Sequence, residues 1–168
     1  MRAVAMACAM LLCGQLSAAA EADQACRPVF HSQLEALLPV LPGFARNRPK
    51  GETDNLEAVS RTTVDYEARA AVISIELMDS CRNPDMLSQL REFLAQGPPA
   101  TAGTVMRSLP ILGFPAYEEW TQESQHGEVH VLVADRFMVK VTGALVESLA
   151  VIEGAAKAID LQRLAALK

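Results

Sequence analysis

Two runs of alternating β-branched residues constrain this chain more than any other stretch. Val129, Val131 and Val133 alternate with His130 and Leu132. After a short break, Phe137, Val139 and Val141 alternate with Met138, Lys140 and Thr142. A period of two over both runs predicts a β-hairpin from Glu128 to Thr142. The loop between them decides which side chains share a face. A two-residue loop at Asp135-Arg136 would pair Val133 with Met138 and Val131 with Lys140, placing a lysine on the valine face. A three-residue loop, Ala134-Asp135-Arg136, pairs Val133 with Phe137, Val131 with Val139 and Val129 with Val141. One face is then wholly apolar, because a one-residue slip turns a whole strand over. The second register is expected, with a positive φ at Arg136 as its cost. The opposite face carries His130, Leu132, Met138 and Lys140. It is too apolar to be fully wetted, so a loop or a partner must cover it.

Upstream, Pro28 to Leu38 reads as a helix with Phe30, Leu34, Leu37 and Leu41 in one stripe, ended by Pro39 and Pro42. A strand is expected near Phe44 to Arg48, and a polar turn from Pro49 to Asn55. Ser60 to Tyr66 and Ala70 to Met78 form a second hairpin. Asn83, Pro84 and Asp85 open a middle helix whose apolar face is Leu87, Leu90 and Leu94. Gly97 and Pro98-Pro99 stop it, and a linker runs to Gly103. Thr104 to Leu109 and Ala116 to Glu123 read as strands with proline-marked edges. A C-terminal helix is expected from about Ala144, with Glu153 and Lys157 as an i, i+4 pair and Asp160 capping a last turn.

The fold class is therefore α+β: a mostly antiparallel sheet of about six to seven strands with an N-terminal, a middle and a C-terminal helix packed on it. The element order, and the helix that leads through Leu41-Pro42-Gly43-Phe44 into the first strand, are similar to those of PsbP/Mog1-like α/β sandwiches. The likeness is at the level of fold, and it implies a non-catalytic accessory protein among the expected roles.

The first twenty residues read as a secretory signal peptide: Arg2, an apolar run from Ala3 to Leu12, then Ala18-Ala19-Ala20. Residues 21–168 are then a single exported domain, expected in the periplasm, with no transmembrane span. Cys13 could take a lipid anchor only with the bulky Leu12 beside it, which fits lipoprotein processing badly. Removal of the leader leaves Cys26 and Cys81, an even count in an oxidising compartment, so one disulfide is expected. It also leaves 14 basic and 20 acidic residues. That acidity excludes nucleic acid and anionic membrane surfaces as natural partners.

Catalytic patterns are weak. His126 and His130 would stand about 13 Å apart along a regular strand, too far to share an ion bonded at about 2 Å, and Lys140 opposes a cation there. His31, beside Phe30 on the first helix, reads as a surface or boundary residue. No nucleophile elbow and no phosphate loop occur in the sequence. Asp65 with Glu67, Glu76 with Asp79, and Glu118 with Glu119 are carboxylate pairs that read as strand-edge or turn charges. No catalytic residue, metal or cofactor is expected. Tyr117 and Trp120 point to opposite faces of one strand; core packing is the plainer account of them, a binding surface the functional one. The expected role is an exported, non-catalytic binding or accessory protein that meets another exported or envelope protein. Its candidate surface is Tyr117, Trp120, His130, Leu132 and Met138. The alternatives are a carrier with an apolar cavity lined by Val131, Val139 and Ile152, and a carboxylate-dependent hydrolase.

Overall fold

The computed structural model describes residues 26–81, 83–97 and 103–168. The leader expected over residues 1–20, Cys13 within it, and the linker after Gly97 up to residue 102 lie outside them. Among the described residues, eight antiparallel strands form one sheet. They are β1 (Ala45–Arg46), β2 (Lys50–Asp54), β3 (Val59–Ala68), β4 (Ala71–Asp79), β5 (Thr104–Ile111), β6 (Phe114–Thr121), β7 (His126–Val133) and β8 (Phe137–Ala144). Their spatial order is β1-β3-β4-β8-β7-β6-β5, with β2 also paired to β3. The helices are α1 (His31–Glu35), α2 (Ser88–Gln96), α3 (Leu149–Lys157) and α4 (Leu161–Ala165), and a 3-10 turn at Pro84–Leu87 leads into α2.

The β7–β8 hairpin takes the three-residue register, with Val133 opposite Phe137, Val131 opposite Val139 and Val129 opposite Val141. The Arg136 N–H closes the turn on the Val133 carbonyl at 3.2 Å. Positive φ falls on Ala134 and Asp135 rather than on Arg136. The valine face buries Ile73, Ile75 and Leu77 of β4 and Val64 and Tyr66 of β3, together with Ile152, Ala155 and Ala156 of α3, Leu161 and Leu164 of α4, and Leu34 of α1. The Tyr66 hydroxyl is satisfied inside that core by donating to the Pro39 carbonyl at 2.6 Å. The opposite face is covered at one end by the chain itself. Met78, Tyr117 and Leu132 form a second cluster with Leu87 and Leu90, flanked by Phe93, Leu94 and Met138.

Three local expectations are corrected. Lys50–Asp54, expected as a turn, is an edge strand paired with β3. It is polar because an outer strand is wetted on both faces, which erases alternation. The edge made by β1 and β2 holds three residues between Arg46 and Lys50 against two on β3, a bulge at Asn47–Pro49. The C-terminal helix begins at Leu149 rather than Ala144, because Gly143 and Ala144 remain paired to both Ile73-Val72 and Gly127-His126. Phe30 is 62% exposed and precedes α1 instead of joining its stripe.

A buried carboxylate ties these parts together. Asp79 is fully buried at the end of β4. Its oxygens accept from the Val29 N–H at 2.9 Å and the Cys81 N–H at 3.1 Å. They also accept a two-pronged contact from Arg136, Nε at 2.8 Å and Nη2 at 2.6 Å. Arg136 donates further to the Arg27 carbonyl at 3.0 Å. The Cys26–Cys81 disulfide closes beside this pair, with the Cα atoms 5.7 Å apart. Asp79 thus holds the N-terminal segment, the end of β4 and the hairpin turn in one place.

α3 lies close to the sheet because β7 and β8 present glycines to it. A Cβ on Gly143 would come within 2.6 Å of Ile152 Cγ1, and one on Gly127 within 3.2 Å of Ile152 Cδ1. Gly143→Ala is therefore expected to cost about 1–3 kcal/mol by overpacking. Combined with Ile152→Ala it should cost less than the sum of the two single changes. Urea unfolding of the three variants measures this, and strict additivity would contradict the contact.

Candidate functional site

The second face carries a band of polar residues in cross-strand register that runs from its open half to the residues packed under α2. Thr63 stands opposite Glu76, Glu76 opposite Lys140, Lys140 opposite His130, and His130 opposite Tyr117. Beside it run Asp65, Ser74, Thr142, Glu128 and Glu119, also in register. Glu128 organises the centre. His130 Nε2–H donates to it at 2.8 Å, and Lys140 Nζ lies 2.9 Å from the same oxygen. The His130 hydrogen bond, with Lys140 behind it, holds the Glu128 carboxyl at about 2 against the opposing effect of burial. Arg61 and Glu76 pair at 3.0 Å farther along the face. Ser74 donates to Asp65 at 2.6 Å. A shallow depression of about 270 Å³, lined by Lys50, Gly51, Glu52, Arg61 and Thr63, lies at the β2 end.

The five residues expected on an interaction surface are divided between the two faces of the sheet. Tyr117, His130 and Leu132 are on the α2 face but buried, and Met138 beside them is half-buried. The Tyr117 ring stacks on His130 at 4.5 Å and 9°, and Phe93 of α2 meets it edge-on at 5.3 Å. Burial, aided by the Glu128 and Glu119 carboxylates, pushes the Tyr117 phenol up to about 12. Trp120 is packed in the other face, inside the main core, with its Nε1–H donating to Gln122 at 3.0 Å. The two aromatics do point to opposite faces, and neither is exposed.

A second cluster lies where β5 and β6 meet α3. Glu118 is fully buried, opposite Arg107 of β5, whose guanidinium contacts its Oε1. Arg107 also reaches Glu153 at 3.3 Å, and Lys157 holds Glu153 at 2.7 Å. Glu118 Oε2 is buried without a hydrogen-bond partner. Burial raises the Glu118 carboxyl above the ordinary range, whereas Lys157 lowers that of Glu153. Glu118 was legible only as a neighbour of Glu119. Its true partners, 11 and 35 positions away, carry no local signal.

The remaining expected sites resolve as structure. Asp79 has every strong acceptor position filled, as described above. His130 stands opposite Lys140, and the described residues contain no group of three or more His, Cys, Asp or Glu suited to an ion. The space foreseen for a carried ligand is occupied: Val131, Val139 and Ile152 are fully buried in one cluster, with Gly127 and Gly143 closed onto α3. No described helix is long and apolar enough to cross a membrane. Comparisons with protein-family models, curated proteins and solved structures give no match to this chain.

Two carboxyls should leave opposite marks on acid stability. The depressed Glu128 pKa adds stability that is complete above the ordinary carboxylate range and is lost as pH falls toward about 2. Its size is about 1 kcal/mol once solvent screening is allowed for. Glu128→Gln should flatten that acid limb. The raised Glu118 pKa has the reverse sign: its stabilisation is present at low pH and fades as pH climbs through the folded value. Glu118→Gln should therefore gain on the parent as pH rises. Denaturant melts from pH 2 to 7 measure both effects, and parallel pH profiles would contradict the assignments.

Proposed function

We propose that this chain is an exported, non-catalytic binding protein that acts on another exported or envelope protein through the open half of its α2 face. The observation that carries the reading is the Glu128 cluster. His130, Lys140 and Glu128 are held by one another beside α2, with His130 buried and the Glu128 and Lys140 side chains partly exposed. Charges fixed in this way need little further ordering on binding, and their alternation of sign can select a partner. Of the expected surface, His130 belongs to this cluster, Met138 borders it, Tyr117 and Leu132 support it from beneath α2, and Trp120 has no part in it. Export rests on the leader read from residues 1–20 and fits the Cys26–Cys81 disulfide, since such bonds persist in oxidising compartments such as the periplasm. The likeness to PsbP/Mog1-like sandwiches, carried by Leu41-Pro42-Gly43-Phe44, favours the same accessory role.

A carboxylate-dependent hydrolase is the second reading, favoured by one observation: Glu118 and Glu153 are shifted in opposite directions, as an acid and a base would be. Against it, Glu118 is fully buried, and Arg107, which contacts it, is tied to Glu153 of α3.

The test is a charge swap that keeps the internal ion pair, Glu128→Lys with Lys140→Glu. Affinity capture from an envelope extract should recover the same partner repeatedly with the parent chain. The swapped variant, with unfolding unchanged, should bind that partner roughly tenfold more weakly or worse. Recovery of the chain alone, or undiminished binding by the swapped variant, would defeat the proposal.

A further inference from the structure

We infer that β5 is an association edge, and that it pairs antiparallel with β5 of a second copy, centred on Met106, to join two sheets into one. This stands independently of the binding role proposed for the α2 face.

The two edges of the sheet differ. The β1–β2 edge is short, broken by the bulge before Lys50, and crossed by α1, whose His31 N–H donates to Thr53 of β2 at 3.0 Å. Those are the usual protections of an outer strand. β5 has none of them. It runs eight residues in unbroken register against β6, and among the described residues no other strand pairs with it. Val105 is 59% exposed on it. Its one charge, Arg107, is drawn back onto Glu118 and Glu153, so it does not act as the free cation that normally repels an incoming strand.

The prolines settle which backbone groups face outward. Pro110 stands opposite Pro115, and neither has an N–H. Their pair must be a non-hydrogen-bonded one. The two-residue turn at Leu112-Gly113, with φ of 50° and 87°, agrees, because it closes on a bonded Ile111–Phe114 pair. By alternation, Thr104, Met106 and Ser108 direct their N–H and C=O groups away from β6.

Three outward residues at every second position form a self-complementary ladder. Centred on Met106, an antiparallel copy sets Thr104 against Ser108 of its mate and Met106 against Met106, each a bonded pair. Val105 then packs on the aliphatic stem of Arg107 from the other copy. Pro110 ends the ladder on each side, and the protected β1–β2 edge stops growth at two copies.

Sedimentation and native mass spectrometry of the purified chain at micromolar concentrations are expected to show a dimer. Met106→Pro removes an outward donor but none used within the sheet, so it should fold normally and dimerise roughly tenfold more weakly or worse. Directly opposed residues of a bonded pair lie about 5.5 Å apart at Cα, within disulfide range. Met106→Cys should therefore cross-link two copies on oxidation. Thr104→Cys alone and Ser108→Cys alone should not, whereas the two changes combined should. A monomer at these concentrations, a dimer indifferent to Met106→Pro, or cross-linking equally efficient at all three single positions would overturn the inference.

Discussion

The contact on which most of this structure depends is the pair formed by buried Asp79 and half-buried Arg136. Phe137 stands opposite Asp79 in the β4–β8 ladder, so the residue just before it projects from the turn onto the carboxylate. That is possible because the β7–β8 loop has three residues. The same carboxylate takes the backbone of Val29 and Cys81, and so connects the hairpin to the disulfide and the N-terminal segment. Burying a carboxylate is costly, and the attraction of its counter-ion alone does not guarantee a gain. Here the remaining lone pairs are filled by backbone donors, the condition under which such a pair holds a unique geometry.

From that register the two faces acquire different characters. The valine face is closed by α3, α4 and α1. The other face is closed only where α2 and the turn before it lay Leu87, Leu90 and Phe93 over Leu132 and Tyr117. Beyond α2 the sheet ends in charged residues that neutralise one another while remaining partly wetted. A surface of this kind contributes little to stability, since exposed ion pairs are weak. On the role proposed above, its ordering prepares it for contact with a partner.

The sequence made the hairpin register legible because only one alignment kept Lys140 off the valine face. The disulfide followed from the cysteine count, and α2 from Asn83, whose side chain accepts from the Met86 N–H at 3.3 Å. What escaped was non-local. β2 is a strand by virtue of pairing with β3, not by its own Lys50-Gly51-Glu52-Thr53-Asp54 pattern. A cover over Leu132 and Met138 was foreseen, but that it would be α2 depends on a chain path that periodicity cannot show. Arg136 and Asp79 are 57 positions apart, so neither residue marks the other. Tyr117 was read correctly as facing away from Trp120, yet its burial depends on Phe93 from another element.

The β7–β8 register sets the core, the Asp79–Arg136 pair and the composition of the candidate surface together. Cross-strand Hα–Hα NOEs test it most directly. The alternation that leaves Pro110–Pro115 unbonded makes His130–Lys140 and Leu132–Met138 non-hydrogen-bonded pairs, whose Cα atoms lie only about 4.5 Å apart. Strong Hα–Hα NOEs are predicted for those two pairs. NOEs linking Val133 to Met138 and Val131 to Lys140 as facing residues would contradict it.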